Sequence, residues 1–225
     1  MVSLKNITMK YPTGNVALND VSLHIKKGEF VFLIGPSGAG KSTFIRLLTK
    51  EINPTSGVIT INGRNVTKLH KRRIPKYRRQ IGIVFQDYKL LEKLTVYDNV
   101  AFALDVLGKN ARYIRRHVPL LLNLVGLNGK GKKLPRQLSG GEQQRVSIAR
   151  AIAGNPDILI CDEPTGNLDP ETSWGLMDLL DKLNTYGTTI IMATHQRDIV
   201  NVMKKRVIEL EGGNIIRDQE HGGYR

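Results

Sequence analysis

Apolar and polar residues alternate, run together or recur at helical spacing in different parts of the chain, and each pattern predicts an element. Alternation over residues 3–10 and 17–25 predicts two half-exposed strands. The run Phe30–Ile34 is apolar at every position, which predicts a strand buried on both faces. Further strands are predicted at 57–63, 80–86, 157–164 and 188–195, and a closing hairpin at 207–216 that turns on Gly212 and Gly213.

Helical spacing dominates between residues 87 and 154 and returns between residues 171 and 187. Pro119 falls inside one of the predicted helices, where we expect it to kink or end a turn. The polar tail from Gln219 onward is predicted to fray. Strands on both sides of the long helical region predict an α/β core with a mostly helical insertion at about residues 87–154.

The buried strand at Phe30–Ile34 runs directly into a glycine-rich loop, and a helix restarts at Lys41. The spacing Gly-x-x-x-x-Gly-Lys-Ser in a strand-loop-helix setting is the P-loop pattern. Residues without a Cβ let several backbone N–H groups approach a polyphosphate, and the helix directs its positive N-terminus at the same anion. The predicted nucleotide-binding loop consists of Gly35, Pro36, Ser37, Gly38, Ala39, Gly40, Lys41, Ser42 and Thr43.

Three side chains of this loop have individual predicted roles. The Lys41 ammonium group should reach the β- and γ-phosphates, and the Ser42 hydroxyl should ligate Mg²⁺. The Thr43 hydroxyl is placed to hydrogen-bond the α-phosphate. The sequence therefore predicts a site for ATP and Mg²⁺.

An acidic pair, Asp162 and Glu163, follows the predicted buried strand in "ILICDEP". Ligands bind at this end of the strands in α/β sheets. Asp162 is suited to a divalent metal between phosphates, and Glu163 to polarising the attacking water as general base. The structural alternative is an acidic pair that only begins a helix.

A second phosphate-binding element is predicted where Ser139, Gly140 and Gly141 precede a helix. Exposed backbone N–H groups at a helix N-terminus, together with a hydroxyl, can hold another face of a phosphate. One P-loop already surrounds its nucleotide from one side, so the second element suggests a site that another copy of the chain completes.

Composition narrows the class of protein but leaves the partner open. The chain has 225 residues, of which 40% are hydrophobic, and its formal net charge is +14. Much of this charge lies in residues 68–79, which would suit nucleic acid, an anionic membrane surface or a merely solvated face. The single cysteine, Cys161, is expected to be a core residue. We find no signal peptide and no apolar run long enough to cross a bilayer, so a cytoplasmic location is expected.

Four motifs occur in a fixed order: "GPSGAGKS", "LSGGEQQR", "ILICDEP" and "MATH". In this order they resemble the nucleotide-binding domain of an ATP-binding cassette (ABC) ATPase. The resemblance covers the whole chain and implies one domain, residues 1–225, with the P-loop NTPase fold. That fold has a RecA-like core, an antiparallel β subdomain and an inserted helical subdomain at approximately 87–154.

The resemblance also implies a role for individual residues. Tyr11 would stack on adenine, and Gln86 would touch Mg²⁺ and water and sense a membrane partner. His195 would reach the γ-phosphate, and Asp169 would lie in the loop that crosses the interface of a homodimer. The segment that would close over ATP on the P-loop of the second copy consists of Ser139, Gly140, Gly141, Glu142 and Gln143.

Residues 30–48, 74–91 and 95–104 resemble the cell-division branch of the ABC ATPases. This implies an active, Mg²⁺-dependent ATPase at the cytoplasmic face of the membrane, with a polytopic membrane partner that controls septal peptidoglycan hydrolases. Asp87 and Tyr88 would lie near that partner, and anionic lipid headgroups are a further possible contact. One alternative is the ATPase of a lipoprotein-release or macrolide exporter. Another is a soluble ABC ATPase that acts on nucleic acid, although the long coiled-coil insertion or second cassette of that class is absent from the sequence.

Overall fold

The computed structural model describes residues 1–224 of the chain. The strands are β1 (Val2–Lys10), β2 (Val16–Ile25), β3 (Phe30–Ile34), β4 (Ser56–Ile61), β5 (Arg64–Asn65), β6 (Ile81–Val84), β7 (Ile158–Asp162), β8 (Thr189–Ala193), β9 (Arg206–Glu211) and β10 (Asn214–Gln219). The α-helices are α1 (Lys41–Leu48), α2 (Ile74–Arg78), α3 (Val96–Val106), α4 (Ala111–Leu124), α5 (Gly140–Ile152), α6 (Pro170–Thr185) and α7 (Arg197–Met203). In the described part of the chain, every helix is too short or too polar to span a lipid bilayer.

The strands form two sheets. A four-stranded antiparallel sheet has the order β2-β1-β4-β5. A six-stranded sheet has the order β10-β9-β3-β8-β7-β6, in which only the edge strand β10 is antiparallel to its neighbour. Since β3, β7 and β8 are parallel neighbours, the residues after Ile34, Asp162 and Ala193 meet at one edge of this sheet.

The central strands of the six-stranded sheet are buried on both faces, as their apolar runs predict, whereas the edge strand β10 is largely exposed. All five residues of β3 and all five of β8 are buried. Phe32 and Met192 face a core formed with α3 to α6, whereas Leu33 and Ala193 face a core shared with α1 and the antiparallel sheet. Cys161 belongs to the first core, and its complete burial raises the pKa of its thiol well above the usual range.

Three helices, α3, α4 and α5, lie between residues 87 and 154 and pack against one another. Asn99 of α3 is fully buried and its amide donates to the carbonyls of Leu91, Leu94 and Thr95, which fixes the loop before the helix. The interpretation of residues 87–154 as a separate subdomain stays a prediction.

Two local expectations were wrong: that a helical turn could end at Pro119, and that the tail frays from Gln219; a kink at Pro119, the other alternative, stays a prediction. Helix α4 continues past Pro119, because buried Val118 and Leu122 anchor it on either side and Pro119 itself is exposed, so that water can solvate the unpaired carbonyl. The tail does not fray at Gln219: β10 includes that residue, and the Tyr224 backbone N–H donates to Asn201 Oδ1 over 2.6 Å. The pattern also missed three elements, β5, α2 and α7.

Candidate nucleotide-binding site

A cleft of about 570 Å³ opens at the carboxyl edge of the six-stranded sheet. It brings together most of the residues predicted to hold and hydrolyse ATP. They are the loop 35–43, Tyr11, Asp162, Glu163 and His195, joined by Asn15, Ala17 and Tyr224. Chain segments more than 180 residues apart in sequence therefore line one space.

The loop glycines are required by the protein's own backbone as well as by any ligand. Gly35 has φ +141°, and a Cβ there would lie 2.1 Å from the carbonyl oxygen of Leu210. Gly40 has φ +109°, and its Cβ would lie 2.4 Å from the carbonyl oxygen of Ala17. Both positions thus exclude side chains for a reason that the phosphate-binding explanation alone did not give.

Polar contacts order the side chains at the start of α1. The Lys41 ammonium group donates to the carbonyls of Gly35 (2.6 Å) and Pro36 (3.0 Å), so it lies over the loop. The Thr43 and Tyr11 hydroxyls share a hydrogen bond of 3.1 Å, and the Arg46 guanidinium donates to the same Tyr11 oxygen over 3.3 Å. Tyr11 is therefore held beside the loop, and its stacking on adenine stays a prediction.

The acidic pair and the histidine meet where β7 and β8 end. Glu163 Oε2 lies 2.8 Å from His195 Nδ1, and the Glu163 side chain is 17% exposed against 63% for His195. The Glu163 backbone has φ +49°, and its N–H donates to the Ala193 carbonyl over 3.0 Å. This backbone bond ties the turn after β7 to the end of β8 and fixes the distance between the two side chains.

Burial raises the pKa of the Asp162 carboxyl, and the neighbouring Glu163 adds to this, whereas the positive charge of Lys41 opposes it. A cation bound at Asp162 would favour its ionised form. Ser42 and Asp162 line the same cleft, so both residues that are predicted to ligate Mg²⁺ through oxygen border the space where phosphates would lie. Residues 1–224 contain no cluster of three or more His, Cys, Asp or Glu side chains for a metal. Mg²⁺ is commonly bound by one or two protein oxygens plus substrate phosphates, and its binding here stays a prediction.

Gln86 does not line the cleft with the other predicted residues. It is exposed, its amide donates to Asn167 Oδ1 over 3.3 Å, and the Asn167 amide donates to the Gln86 carbonyl over 3.2 Å. Sequence reasoning missed Asn167, because an asparagine in a polar loop carries no pattern that identifies its partner.

The second predicted phosphate-binding element also lies outside this cleft. Ser139 is the N-cap of α5: its hydroxyl accepts from the Glu142 N–H over 3.3 Å, and Glu142 Oε2 accepts from the Ser139 N–H over 3.0 Å. Lys130 contacts the other oxygen of Glu142, and the Gln143 amide donates to the Leu138 carbonyl over 3.2 Å. We call Ser139–Gln143 the signature residues and α5 the signature helix; the signature residues are absent from the lining of the P-loop cleft of their own molecule.

Two residues predicted to lie at a dimer interface, Gly141 and Asp169, make contacts at the start of α6. Gly141 is buried against Thr172, so this glycine is not wholly exposed as expected. Asp169 is the N-cap of α6, where hydrogen bonds from the Thr172 side chain and from the Thr172 backbone N–H (2.9 Å) lower the pKa of its carboxyl. Gly141 of α5 and Asp169 of the predicted interface loop therefore both lie against Thr172, in the first turn of α6.

Comparison with known families identifies the fold. Residues 18–166, more than half of the chain, match the family described as ABC transporter. The chain belongs to this family. The motif-based recognition and the α/β fold class are confirmed, and so is the expectation that the cassette is an ATPase that binds ATP.

The cassette is most informatively compared with curated relatives over its full length. It is 54% identical to the cell division ATP-binding protein FtsE of Bacillus subtilis (strain 168), over 100% of this chain and 98% of the relative. It is 55% identical to FtsE of Mycobacterium tuberculosis (strain ATCC 25618 / H37Rv), with the same coverage. Identity to FtsE of Escherichia coli (strain K12) is 44%, over 99% and 98% of the two chains. The cassette is therefore an ABC ATPase of the FtsE type.

Solved structures agree with the fold. The cassette superposes on the ATP-binding cassette MJ0796, solved as a dimer in a post-hydrolysis state bound to ADP and Pi. The TM-score is 0.89 at 37% identity, and the match covers 100% of both chains. A second neighbour, CbiO1 from Clostridium perfringens, has a TM-score of 0.91 at 32% identity, over 97% of this chain and 88% of the other.

Proposed function

We propose that this cassette hydrolyses ATP for a membrane complex that acts in cell division. The membrane partner would be FtsX, and ATP hydrolysis would control septal peptidoglycan hydrolases at the cytoplasmic face of the membrane. The observation that carries the proposal is the 44–55% identity to FtsE proteins over almost the whole length of every chain compared.

The site residues have a division of labour in this proposal. The P-loop N–H groups and Lys41 bind the phosphates, Glu163 accepts a proton from the attacking water, and His195 orients Glu163 and reaches the γ-phosphate. Ser42, Asp162 and Gln86 would hold Mg²⁺, which would neutralise phosphate charge when bound. Gln86 would have to leave Asn167 to do so, since the two are hydrogen-bonded.

Two copies would form the working enzyme. The separation between the signature helix and the P-loop cleft in one molecule favours a head-to-tail homodimer, in which Ser139–Gln143 of each copy close over ATP held by the other. The dimeric state of the similar cassette MJ0796 supports the same arrangement. Cycles of ATP-driven closure and opening after hydrolysis would transmit force to the membrane partner.

The partner would dock in an apolar groove of about 480 Å³ between β6 and α3. We call this the partner groove; its apolar lining includes Ile83, Phe85, Leu91, Phe102, Val106 and Leu107. Leu91, Phe102 and Val106 of this groove are 37%, 49% and 41% exposed, and a patch of exposed apolar side chains is typical of an interaction site. The Arg150 guanidinium donates to the carbonyls of Tyr88 (2.9 Å) and Lys89 (2.6 Å), which fixes the loop where the resemblance expects the partner.

Co-expression tests the proposal. The cassette is purified in detergent with the FtsX-type protein of its own genome, and separately with a lipoprotein-release or macrolide permease. We expect capture by the FtsX-type protein, loss of capture in Phe102→Asp, and normal capture in Val202→Asp, which changes an exposed apolar residue on α7, outside the groove. Capture by an exporter permease instead would contradict the proposed partner.

A further inference from the structure

We infer that residues 68–79, the basic segment, bind anionic lipid headgroups beside the partner groove; this rests on the proposed membrane complex. The segment contains seven Lys or Arg residues and no Asp or Glu. All seven are exposed: Lys68, Lys71, Arg72, Arg73, Lys76, Arg78 and Arg79. Within residues 1–224, none of the ten ion pairs involves them.

The segment is anchored to the body of the protein. Tyr77 is 2% exposed and its hydroxyl donates to the carbonyl of Leu48, at the end of α1. The Arg78 guanidinium donates to the carbonyls of Thr49 (3.0 Å) and Lys50 (3.1 Å). Arg78 is thus committed to holding the segment, whereas the other cations are available to a ligand on a preformed surface.

The basic segment is continuous with the partner groove. Pro75, Arg78 and Arg79 line the same groove as Phe102 and Val106, which are 49% and 41% exposed. A membrane partner seated in the groove would bring this face of the cassette towards the bilayer. The cations beside the groove would then lie at the level of the headgroups, where each Lys or Arg strengthens binding to anionic lipid.

The aromatic and apolar residues in and beside the basic segment favour lipid over nucleic acid as its ligand. Single-stranded nucleic acid is commonly bound by stacking its bases on aromatic rings between basic residues. The one Tyr, Phe or Trp of the basic segment is Tyr77, whose buried ring and bonded hydroxyl cannot stack on a base. The exposed apolar side chains next to the segment instead suit the boundary between headgroups and acyl chains.

Vesicle co-sedimentation of the full chain tests the inference, with phosphatidylglycerol–phosphatidylcholine vesicles compared with pure phosphatidylcholine. The test variant is Lys71→Gln/Arg72→Gln/Arg73→Gln. The matched control is Arg112→Gln/Arg115→Gln/Arg116→Gln, which removes the same charge from exposed positions of α4. We expect binding only to the anionic vesicles, weakened roughly 100-fold in the test variant and at most about threefold in the control.

Three other outcomes of these binding measurements would contradict the inference. Equal weakening in both variants would indicate a diffuse effect of net charge, and no binding of the parent to anionic vesicles would exclude a lipid surface. Tighter, steeply salt-dependent binding of the parent to duplex or single-stranded oligonucleotides, lost in the test variant, would make the segment a nucleic-acid site. Capture by the FtsX-type protein in detergent needs no lipid, so failure of the proposed complex and failure of this inference are distinguishable.

Discussion

The Nδ1 atom of His195 lies 2.8 Å from Oε2 of Glu163, although 32 residues separate them in the chain. The contact follows from sheet topology, because β7 and β8 are parallel neighbours and each residue is placed just beyond the end of its strand. The Glu163 side chain is 17% exposed and mostly shielded from solvent, whereas the His195 side chain is 63% exposed, so the imidazole is open to solvent on the side away from Glu163.

Replacing the proposed general base tests this arrangement. In Glu163→Gln we expect steady-state phosphate release to fall by about 10²–10⁴-fold, because glutamine cannot accept the proton of the attacking water. ATP binding should persist, since the P-loop is unchanged, and an ATP-bound dimer should accumulate on size-exclusion chromatography. Glu211→Gln, at an exposed position of β9, is the control and should hydrolyse ATP at the parent rate. Parent-like turnover in Glu163→Gln would refute the assigned role.

A contact between two helices restricts the signature glycine Gly141. A Cβ at this position would lie 2.2 Å from Cγ2 of Thr172 on α6, whereas the Cβ and Oγ1 of Thr172 would be at ordinary distances of 3.5 and 3.7 Å. Alanine is intrinsically better than glycine in a helix by about 1 kcal/mol. Overpacking commonly costs about 1–3 kcal/mol, so we expect the clash to outweigh this gain.

Urea unfolding of a double-mutant cycle would measure the effect. Gly141→Ala should lower the free energy of unfolding, and adding Thr172→Ser should restore it to at least the parent value, because serine lacks the methyl group. Thr172→Ser alone is the control and should change stability little, since the backbone N–H that bonds Asp169 is retained. A fully stable Gly141→Ala protein would show that α5 and α6 are not in contact as described.

The sequence predicts the parallel core well because its signals are local. Phe30–Ile34 is apolar throughout, and the loop that follows has a spacing tied directly to phosphate chemistry. Helix α2 was missed because its five residues carry too few apolar positions to establish a period. The sequence did not predict that α4 continues past Pro119, because this depends on the packing of α4 against the core, which no local pattern shows.

Within the site, the sequence identifies residues but not their partners. Spacing singles out Glu163 and His195, and the sheet then brings them together. The bond between Gln86 and Asn167 joins positions 81 residues apart, in two loops without periodic pattern. Lys130 belongs to a basic run that looks merely solvated, yet it contacts Glu142 of the signature. Contacts between loops depend on their three-dimensional path, which no local pattern specifies.

The Lys130–Glu142 ion pair predicts a positioning role at the start of α5. Glu142 accepts from the Ser139 N–H through one oxygen and contacts Lys130 through the other, and both side chains are about one-third exposed or less. In Lys130→Met we expect a loss of about 0.5–2 kcal/mol of stability, since a half-buried carboxylate loses its counter-charge. Lys130→Arg should recover most of it.

Thermal or urea unfolding of Lys130→Met, of Glu142→Gln and of the double variant would measure the interaction energy between Lys130 and Glu142. The cost of removing Lys130 should shrink when Glu142 is already neutral. Lys132→Met, two residues away and exposed, is the matched control and should be close to the parent. Equal costs in the presence and absence of the Glu142 charge would contradict the predicted coupling.

The buried phenol of Tyr77 predicts a loss of stability at high pH. Burial raises the pKa of Tyr77 far above its usual value of about 10, so the folded protein keeps a proton that the unfolded chain releases. Above about pH 10, the unfolded state therefore binds fewer protons, and this group lowers the free energy of unfolding by up to about 1.4 kcal/mol per pH unit. Tyr77→Phe should lower the free energy of unfolding by about 1 kcal/mol at neutral pH, because the Leu48 carbonyl loses its donor. The same variant should lose less stability than the parent as the pH rises, which urea unfolding between about pH 8 and 11 would measure.

Tyr186 is 80% exposed and gives the control, because Tyr186→Phe should leave the dependence of stability on pH unchanged. If Tyr77→Phe lost stability with rising pH as steeply as the parent and Tyr186→Phe do, the prediction would be contradicted. Tyr77 would then have to ionise in the folded protein, which its buried hydrogen bond to the Leu48 carbonyl opposes.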